Sequence, residues 1–190
     1  MMMASKEIYI LLTQTGTLFS KTIKAYTGEP FSHVSIAFDI ELKEIYSFGR
    51  KKPNNPLIAG FVAENISSGT FAKYSNTTCA VFSLTVNLEQ YEQIRDVIKY
   101  FSLRSDSYRY NLLGLIGIIM GYPIERENTY FCSQFVATVL KKSGISIFDK
   151  SPGLVTPSDF RRSEYLNLIY SGKLRNYNNY NSYSIRQALV

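Results

Sequence analysis

The alternation of apolar and polar residues along this chain predicts a domain of mixed helices and strands, an α+β fold. In Phe31–Asp39 (FSHVSIAFD) every second residue from Val34 is large and apolar, which is the period of a β-strand. The turn at Ile40–Lys43 leads into the next such run, so the two are expected to form an antiparallel hairpin. Other runs rich in β-branched, aliphatic or aromatic residues predict further strands: Glu7–Thr13, Ile45–Gly49, Leu57–Ala63, Cys79–Val86 and Leu166–Tyr170.

Helical spacing of apolar residues occurs in several segments. The clearest is Leu88–Leu103, which is amphipathic and has Asn87 as its expected N-cap. Leu112–Met120 is apolar all round and is expected to be a core helix, with a surface that holds a greasy ligand as the alternative. The remaining helical segments are Leu18–Tyr26, Asn128–Gly144 and a turn with Thr156 as N-cap and Pro157 at its first position. The expected loops are Arg50–Pro56 and Glu64–Thr78.

Length and composition indicate one compact domain followed by a polar tail. The chain has 190 residues, of which 45% are hydrophobic and 14% aromatic, which excludes wholesale disorder. We place the domain at residues 1–172 and the tail at residues 173–190, where Asn, Tyr and Ser dominate. The tail has the tyrosines and cations to bind nucleic acid or an anionic surface, but a solvated tail is favoured. The net charge of +6 is spread along the chain, which also favours solvated surface.

The apolar runs and the cysteine count exclude several classes of protein. Leu112–Met120, the longest apolar run, has about half of the roughly 20 residues that a membrane span requires, so no transmembrane helix is expected. Ile8–Leu12 is too short for the core of a signal peptide, and we therefore expect a cytoplasmic protein. The cysteines are Cys79 and Cys132 and the single histidine is His33, which predicts reduced thiols, no metal site and no cofactor.

The helix within Asn128–Gly144 (NTYFCSQFVATVLKKSG) carries a cysteine in its first turn. Asn128 and Thr129 are predicted N-caps, and Gly144 suits the left-handed residue that ends a helix. Unpaired backbone N–H groups and the helix dipole lower the pKa of such a cysteine from its ordinary value of about 8.5 and favour the thiolate. Cys132 is therefore a candidate nucleophile, with a small buried hydrophobic residue as the alternative.

His33 is the residue that can take the proton of that thiol. Nucleophilic catalysis by cysteine needs an imidazole within hydrogen-bond reach and a third group that orients the imidazole. His33 lies on the strand face of Ser35 and Ala37, whose small side chains leave room for a helix to approach. A structural or surface role is the alternative for a lone histidine. His33 and Cys132 are thus the candidate catalytic pair.

Four motifs follow one another along most of residues 7–160: ILLTQTGTLFSKTIKAYTG, FSHVSIAFD, YFCSQFVATVLKKSGI and VTPSDF. In order and spacing they resemble the NlpC/P60 superfamily of papain-like cysteine hydrolases, in the circularly permuted branch where histidine precedes cysteine. The resemblance implies an antiparallel sheet whose strand carries the histidine, packed against a helix with the cysteine at its N-terminus. It also implies that Cys132 is the nucleophile and His33 the general base.

The sequence offers more than one candidate for the third catalytic residue, which orients the imidazole. Family members place a polar residue, more often a carboxylate, amide or imidazole, on the strand after the histidine, and Ser47 is the nearest positional match. A three-residue hairpin turn puts Ser47 on the face of His33, whereas a four-residue turn puts it on the other face. Glu44 lies at the turn, about 17 Å along the strand from His33, which is too far. Glu64 is an acidic alternative that can return from the next segment, although nothing local places it.

The expected oxyanion donor is the backbone N–H of Cys132 at the start of its helix. Tyr130, beside the nucleophile, is a candidate second donor, with a packing role as the alternative.

The favoured function is a papain-like cysteine peptidase or amidase that cleaves an amide bond of a peptide or isopeptide type through a thioester acyl-enzyme. The superfamily also includes lipid-directed thiol acyltransferases and phospholipases, for which Leu112–Met120 would line an acyl pocket. A non-catalytic binding module with a cationic tail is the third alternative. The expected partner is accordingly a peptide, amide or acyl-ester substrate.

Overall fold

A six-stranded antiparallel sheet forms the centre of the protein. The computed structural model describes residues 4–16, 28–52, 55–178 and 180. The strands in chain order are β1 (Ser5–Gln14), β2 (His33–Ala37), β3 (Ile45–Lys52), β4 (Asn55–Glu64), β5 (Thr78–Asn87), β6 (Arg109–Tyr110), β7 (Thr129–Tyr130) and β8 (Asn167–Lys173). The order across the sheet is β4-β3-β2-β1-β5-β8, and neighbouring strands in it are antiparallel. The strands β6 and β7 form a separate parallel pair.

Within the described residues, the helices follow the first five strands, apart from one short helix between β4 and β5. They are α1 (Gly69–Lys73), α2 (Leu88–Leu103), α3 (Leu112–Met120), α4 (Cys132–Lys142) and α5 (Pro157–Arg162). Short 3-10 turns lie at Ser105–Ser107, Pro152–Leu154 and Leu174–Asn176. Mixed α+β structure around an antiparallel sheet confirms the predicted class.

The predicted strands are present at the expected places, and one expected loop is wrong for most of its length. Within Arg50–Pro56, β3 continues to Lys52 and β4 begins at Asn55. The ladder between the two strands pairs Arg50 with Ala59 and Lys52 with Asn55. This ladder supplies partners to backbone groups that a loop would leave to water, and it therefore overrides the local Asn and Pro signals.

The predicted capping residues of two helices are confirmed. The Asn87 side chain accepts a hydrogen bond from the Gln90 N–H at 2.8 Å, and the Gln90 side chain accepts one from the Asn87 N–H at 3.1 Å. This capping box starts α2 at the predicted residue. The side chain of Thr156 caps α5 in the same way, with Pro157 at the first helical position.

The predictions for Leu112–Met120, Glu64–Thr78 and Leu18–Tyr26 compare with the structure in different ways. The helix α3 has the predicted bounds, but the side chains of Leu113 and Met120 are exposed, so the helix is not buried on all sides. The expected loop Glu64–Thr78 contains the short helix α1, which buries Phe71. The helix expected within Leu18–Tyr26 falls outside the described residues. Within residues 4–16, 28–52 and 55–178, no helix is both long enough and apolar enough to span a membrane.

The helices α2 and α4 cover one face of the sheet. Every second residue of β1 and β2 points to this face and packs against apolar residues of both helices. The main contributors are Ile8, Ile10, Leu12, Val34, Ile36, Ile94, Ile98, Phe135, Val136 and Val139. This packing fixes α4, and with it Cys132, against the strand that carries His33.

The opposite face of the sheet is covered in part by the residues that follow β8. Leu174 and Tyr177 are buried there against Leu11 and Ala37. The Tyr177 hydroxyl donates a hydrogen bond to the Ile40 carbonyl at 2.7 Å. The tail boundary predicted at residue 172 therefore lies inside packed structure, because these two apolar side chains complete a core. Residues 181–190 of the predicted tail lie outside the described residues.

A cluster of aromatic rings joins β3, α2 and α4 under the site described below. Phe48 of β3 lies at its centre and is completely buried. Five ring centroids lie within 6.1 Å of the Phe48 ring, namely those of Phe61, Phe101, Tyr108, Tyr130 and Phe135. Offset and edge contacts of this kind stabilise a core beyond the burial of area alone.

Replacing Phe48 by Ala is expected to lower the free energy of unfolding by about 3–5 kcal/mol, because the cavity would remove the contacts to these five rings. Urea denaturation followed by circular dichroism measures the loss. Tyr122→Ala is the control, since its side chain is 72% exposed. A loss below about 1 kcal/mol for Phe48→Ala would contradict the central place given to this ring.

Candidate active site

The start of α4 places Cys132 at the first helical position. The N-cap is Phe131, whose backbone N–H donates to the Gln134 side chain at 3.4 Å. The predicted N-caps Asn128 and Thr129 are wrong: Asn128 lies in a turn with a φ of 53°, and Thr129 belongs to β7. Thr129 pairs with Arg109 of β6, and the Asn128 carbonyl accepts a hydrogen bond from the Arg109 N–H at 3.0 Å, so both residues lie before the helix begins.

The other end of α4 is as predicted. Gly144 follows the helix with a φ of 70°, the left-handed conformation that glycine adopts at no steric cost.

The thiol of Cys132 lies among groups that stabilise its ionised form. The residue is 4% exposed, and burial alone would raise its pKa. Hydrogen bonding to the His33 imidazole, the charge of that imidazole and the backbone N–H groups of Val34 and Ser133 outweigh burial and lower the pKa of Cys132. The sulfur therefore favours the thiolate.

His33 lies between this thiol and the carboxylate of Glu64. Its Nε2 is 2.9 Å from Oε1 of Glu64, so Nδ1 is the ring nitrogen left to face the sulfur. Burial alone would lower the pKa of His33, but the Glu64 carboxylate and Cys132 raise it to about 10. The imidazole is accordingly protonated at neutral pH. The side chains of His33 and Glu64 are 20% and 14% exposed, so the pair reaches the surface.

Glu64 reaches His33 across an intervening strand. It is the last residue of β4 and pairs with Ile45 of β3, which in turn pairs with Ala37 of β2. Gly49 of β3 leaves the space in which the two side chains meet. A Cβ atom there would lie 3.4 Å from Cε1 of His33 and 3.5 Å from Oε1 of Glu64.

The structure brings Ser47, the predicted third residue, to Glu64 rather than to the imidazole. The β2–β3 register pairs Ile36 with Tyr46, which is the register of the three-residue turn. Ser47 is completely buried, and its hydroxyl contributes to lowering the pKa of Glu64. The bonds of His33 go to Glu64 and Cys132. A β3–β4 hairpin in the sequence would have predicted the position of Glu64. The loop expected at Arg50–Pro56 replaced that hairpin, so the prediction was not made.

Tyr110 and Tyr130 lie side by side near Cys132, and they have different surroundings. Tyr130 pairs with Tyr110 in the β6–β7 ladder, and its ring packs 5.2 Å from that of Phe48 and 5.2 Å from that of Phe101. The Tyr110 hydroxyl contacts the Cys132 thiol, and the backbone N–H of Cys132 points to its oxygen. Burial and Cys132 raise the pKa of Tyr110 well above its usual range, so the phenol keeps its proton. Sequence reasoning missed Tyr110, since twenty-odd residues separate it from the nucleophile.

A cavity of about 340 Å³ lies along the outer side of α4. Its lining includes Tyr130 and Gln134, which lie two residues before and after Cys132 in the sequence, but not Cys132, His33 or Glu64 themselves. The rest of its lining is mostly polar or charged: Glu125, Arg126, Thr129, Thr138, Lys141, Ser151 and Pro152. Such a lining suits a polar ligand better than an acyl chain.

The chemistry that these residues offer is nucleophilic. No family model matches the chain, and no curated protein matches it. Among the described residues, no group of three or more His, Cys, Asp and Glu side chains is arranged to hold a metal ion. A thiol, an imidazole and a carboxylate joined in a line are the groups that cysteine-based acyl transfer uses.

Iodoacetamide is expected to label Cys132 well below the ordinary thiol pKa of about 8.5 and to leave Cys79 unlabelled. Burial raises the pKa of Cys79 to about 12, which makes it an internal control. Labelling of Cys132 should be lost only as the pH falls through its lowered pKa, because the thiolate is then protonated. His33→Ala should slow labelling at pH 6.5 about tenfold or more. Peptide mass spectrometry measures both sites, and equal labelling of the two cysteines would contradict a catalytic thiol.

Proposed function

We propose that this protein is a cysteine hydrolase that cleaves an amide bond of a peptide or isopeptide type. The observation that carries the proposal is the line of contacts from Glu64 through His33 to Cys132 at the first turn of α4. Cys132 is the nucleophile, His33 the acid and base, and Glu64 the residue that orients the imidazole. Glu64, the acidic alternative in the sequence, takes the role that was predicted for Ser47.

In the acylation step, the Cys132 thiolate attacks the carbonyl carbon, and the carbon–oxygen π electrons move to the oxygen. The oxyanion then re-forms the carbonyl as the carbon–nitrogen bond breaks, and His33 gives its proton to the departing nitrogen. The product is a thioester and a free amine. Water next attacks the thioester while His33 takes a proton from it, and the carbon–sulfur bond breaks to restore the thiolate and the imidazolium.

The carboxylate of Glu64 makes His33 a stronger base than a serine partner would. A serine holds the ring by a neutral hydrogen bond, whereas an ionised carboxylate also stabilises the positive charge of the imidazolium. Burial alone would raise the pKa of Glu64, but the charge and hydrogen bonds of its neighbours lower it. Glu64 therefore remains ionised when His33 is protonated.

Two donors lie close to the position of the oxyanion. One is the backbone N–H of Cys132, as expected from the helix start. The other is the hydroxyl of Tyr110, which is next to both that N–H and the sulfur. We assign the second donor to Tyr110 instead of Tyr130, since the Tyr130 ring is held in the aromatic cluster.

The resemblance to permuted NlpC/P60 enzymes supports the same proposal. In that branch the histidine lies on a strand of an antiparallel sheet and precedes the cysteine, which starts a helix against the sheet. His33 on β2 and Cys132 on α4 have this order and these elements. We therefore propose a papain-like fold of the permuted type, with peptidase or amidase activity.

A lipid-directed acyltransferase or phospholipase is the second candidate, and one observation favours it. The apolar helix α3 follows Tyr110 closely and exposes 45% of Leu113 and 72% of Met120. Tyr122, just after the helix, is 72% exposed as well. An acyl chain lying along this surface would lead toward the thiol.

Replacing Tyr110 by Phe should slow acylation of Cys132 by p-nitrophenyl acetate about a hundredfold, because a donor to the oxyanion is lost. Alkylation by iodoacetamide forms no oxyanion and should change by less than about threefold. Tyr130→Phe is the matched control and should leave both rates near wild type. If Tyr110→Phe slows the two reactions equally, or Tyr130→Phe slows acylation more, the assignment of the second donor is wrong.

The chain length of an ester substrate separates the two candidate functions. For an amide hydrolase, kcat/KM for p-nitrophenyl esters should change by less than about fivefold between two and twelve acyl carbons. Burial of an acyl chain contributes about 0.8 kcal/mol per CH₂ group, so a lipid enzyme would show a steep rise. A rise that Met120→Ser abolishes for the long ester alone would favour the lipid-directed function.

A further inference from the structure

The two carboxylate oxygens of Glu64 have different partners. Oε1 lies 2.9 Å from Nε2 of His33, and Oε2 accepts a hydrogen bond from the Ser35 hydroxyl at 2.5 Å. The carboxylate of a glutamate rotates about its Cγ–Cδ bond, so fixing one oxygen also fixes the direction of the other. The Ser35 bond therefore sets the oxygen that meets the imidazole.

Ser35 is well placed to hold that oxygen. It lies on β2 two residues after His33, on the same face of the strand, and it is completely buried. Its hydroxyl is supplied by the sheet itself and not by a mobile loop. The side chain of Glu64 is only 14% exposed, so water cannot readily replace a lost donor.

We propose that Ser35 is a positioning residue of the active site, which fixes the Glu64 carboxylate so that Oε1 stays on Nε2 of His33. This inference rests on the proposed function, because it assigns the support of the same imidazole. Ser35 acts through Glu64 and touches neither the sulfur nor the scissile bond. Neither the sequence motifs nor the resemblance assigned it a role.

Ser47 is the natural comparison, since it is a second buried hydroxyl beside the same carboxylate. The Ser47 hydroxyl makes no hydrogen bond of standard geometry to any described residue, whereas the Ser35 hydroxyl lies 2.5 Å from Oε2 of Glu64. The effect of removing Ser47 should therefore be the smaller of the two.

The loss of the Ser35 hydroxyl has a defined sign. Burial raises the pKa of Glu64, but the charge of His33 and the hydrogen bonds from His33 and Ser35 outweigh it, so removing the Ser35 hydroxyl raises that pKa. A carboxylate that Ser35 no longer holds makes a weaker contact with the imidazolium, and the pKa of His33 falls. The thiolate of Cys132 then loses its counter-charge and needs a higher pH to form. The other groups that act here are Tyr110, beside the sulfur, and Arg50, whose charge acts on Tyr110.

The test is the rate of alkylation of Cys132 by iodoacetamide between about pH 4.5 and 9.5 in wild type and four variants. Ser35→Ala removes the donor, and Glu64→Gln removes the charge that it positions. The double variant Ser35→Ala with Glu64→Gln asks whether Ser35 acts through Glu64. Thr13→Val is the matched control, because Thr13 is completely buried, pairs with His33 across β1 and β2, and has a hydroxyl with no hydrogen-bond partner among the described residues.

Ser35→Ala should slow alkylation about tenfold near pH 6, the effect of a shift of about one pKa unit, and should converge with wild type near pH 9.5. Thr13→Val should follow wild type throughout. In the Glu64→Gln background, Ser35→Ala should change the rate by less than about twofold. An unchanged profile for Ser35→Ala, an equal loss at every pH, or a full further loss in the double variant would each overturn the proposal.

One measurement needs no variant at Ser35. The carboxyl carbon of Glu64 in wild type, followed by ¹³C NMR, should titrate below the ordinary glutamate pKa of about 4.3. Titration above that value would overturn the inference even if Ser35→Ala failed to fold. A wild-type protein without fast alkylation near pH 6 would instead contradict the proposed function, so the two failures are distinguishable.

Discussion

The arrangement at the start of α4 depends on the contact between His33 and Glu64, two groups of opposite charge that are largely removed from water. Removing charged groups from water costs several kcal/mol per ion, and their attraction offsets this only where the geometry is good and further hydrogen bonds are made. Both conditions are met here: Nε2 and Oε1 are 2.9 Å apart, and Ser35 donates to the second oxygen. The sulfur of Cys132 completes the set, since as a thiolate it neutralises the other side of the imidazolium.

The contacts of His33 are possible because β2 and β3 separate toward the His33 end of β2. The β2–β3 ladder is short, with pairs at Ile36–Tyr46 and Ala37–Ile45, whereas β3 stays paired with β4 as far as Lys52. At the His33 end of β2, the backbone N–H of Val34 points to the Cys132 sulfur. Gly49 adds space at the same level because it has no side chain to fill it. The α4 helix can therefore bring its first residue to the edge of a strand, while its apolar face stays on the core.

The sequence predicted the parts of this site that depend on local pattern. The strand period identified the element that carries His33, and apolar spacing identified the helix of Cys132, so the α+β class and most element positions could be obtained. Glu64 and Tyr110 depend on contacts between elements distant in sequence. Glu64 is placed by a hairpin whose Asn and Pro residues are typical of a loop, and Tyr110 by a two-residue parallel pair that no periodicity reveals. Tyr130 was predicted as an oxyanion donor because it lies two residues before Cys132 in the sequence, but its ring packs against the core.

The protonation states of His33 and Cys132 decide which proton transfer comes first in the proposed mechanism. The pKa of His33 is raised to about 10 and that of Cys132 is lowered, so in the proposed mechanism the pair of thiolate and imidazolium is favoured before a substrate arrives. Part of that high pKa comes from the negative sulfur itself. Once the sulfur bonds to carbon it loses its charge, the pKa of His33 falls, and the proton becomes easier to give. Proton delivery matters most for an amide, whose nitrogen leaves poorly without it, and matters less for an ester. In the proposed hydrolase, this order of proton transfers suits an amide substrate better than an ester, whatever the shape of the pocket.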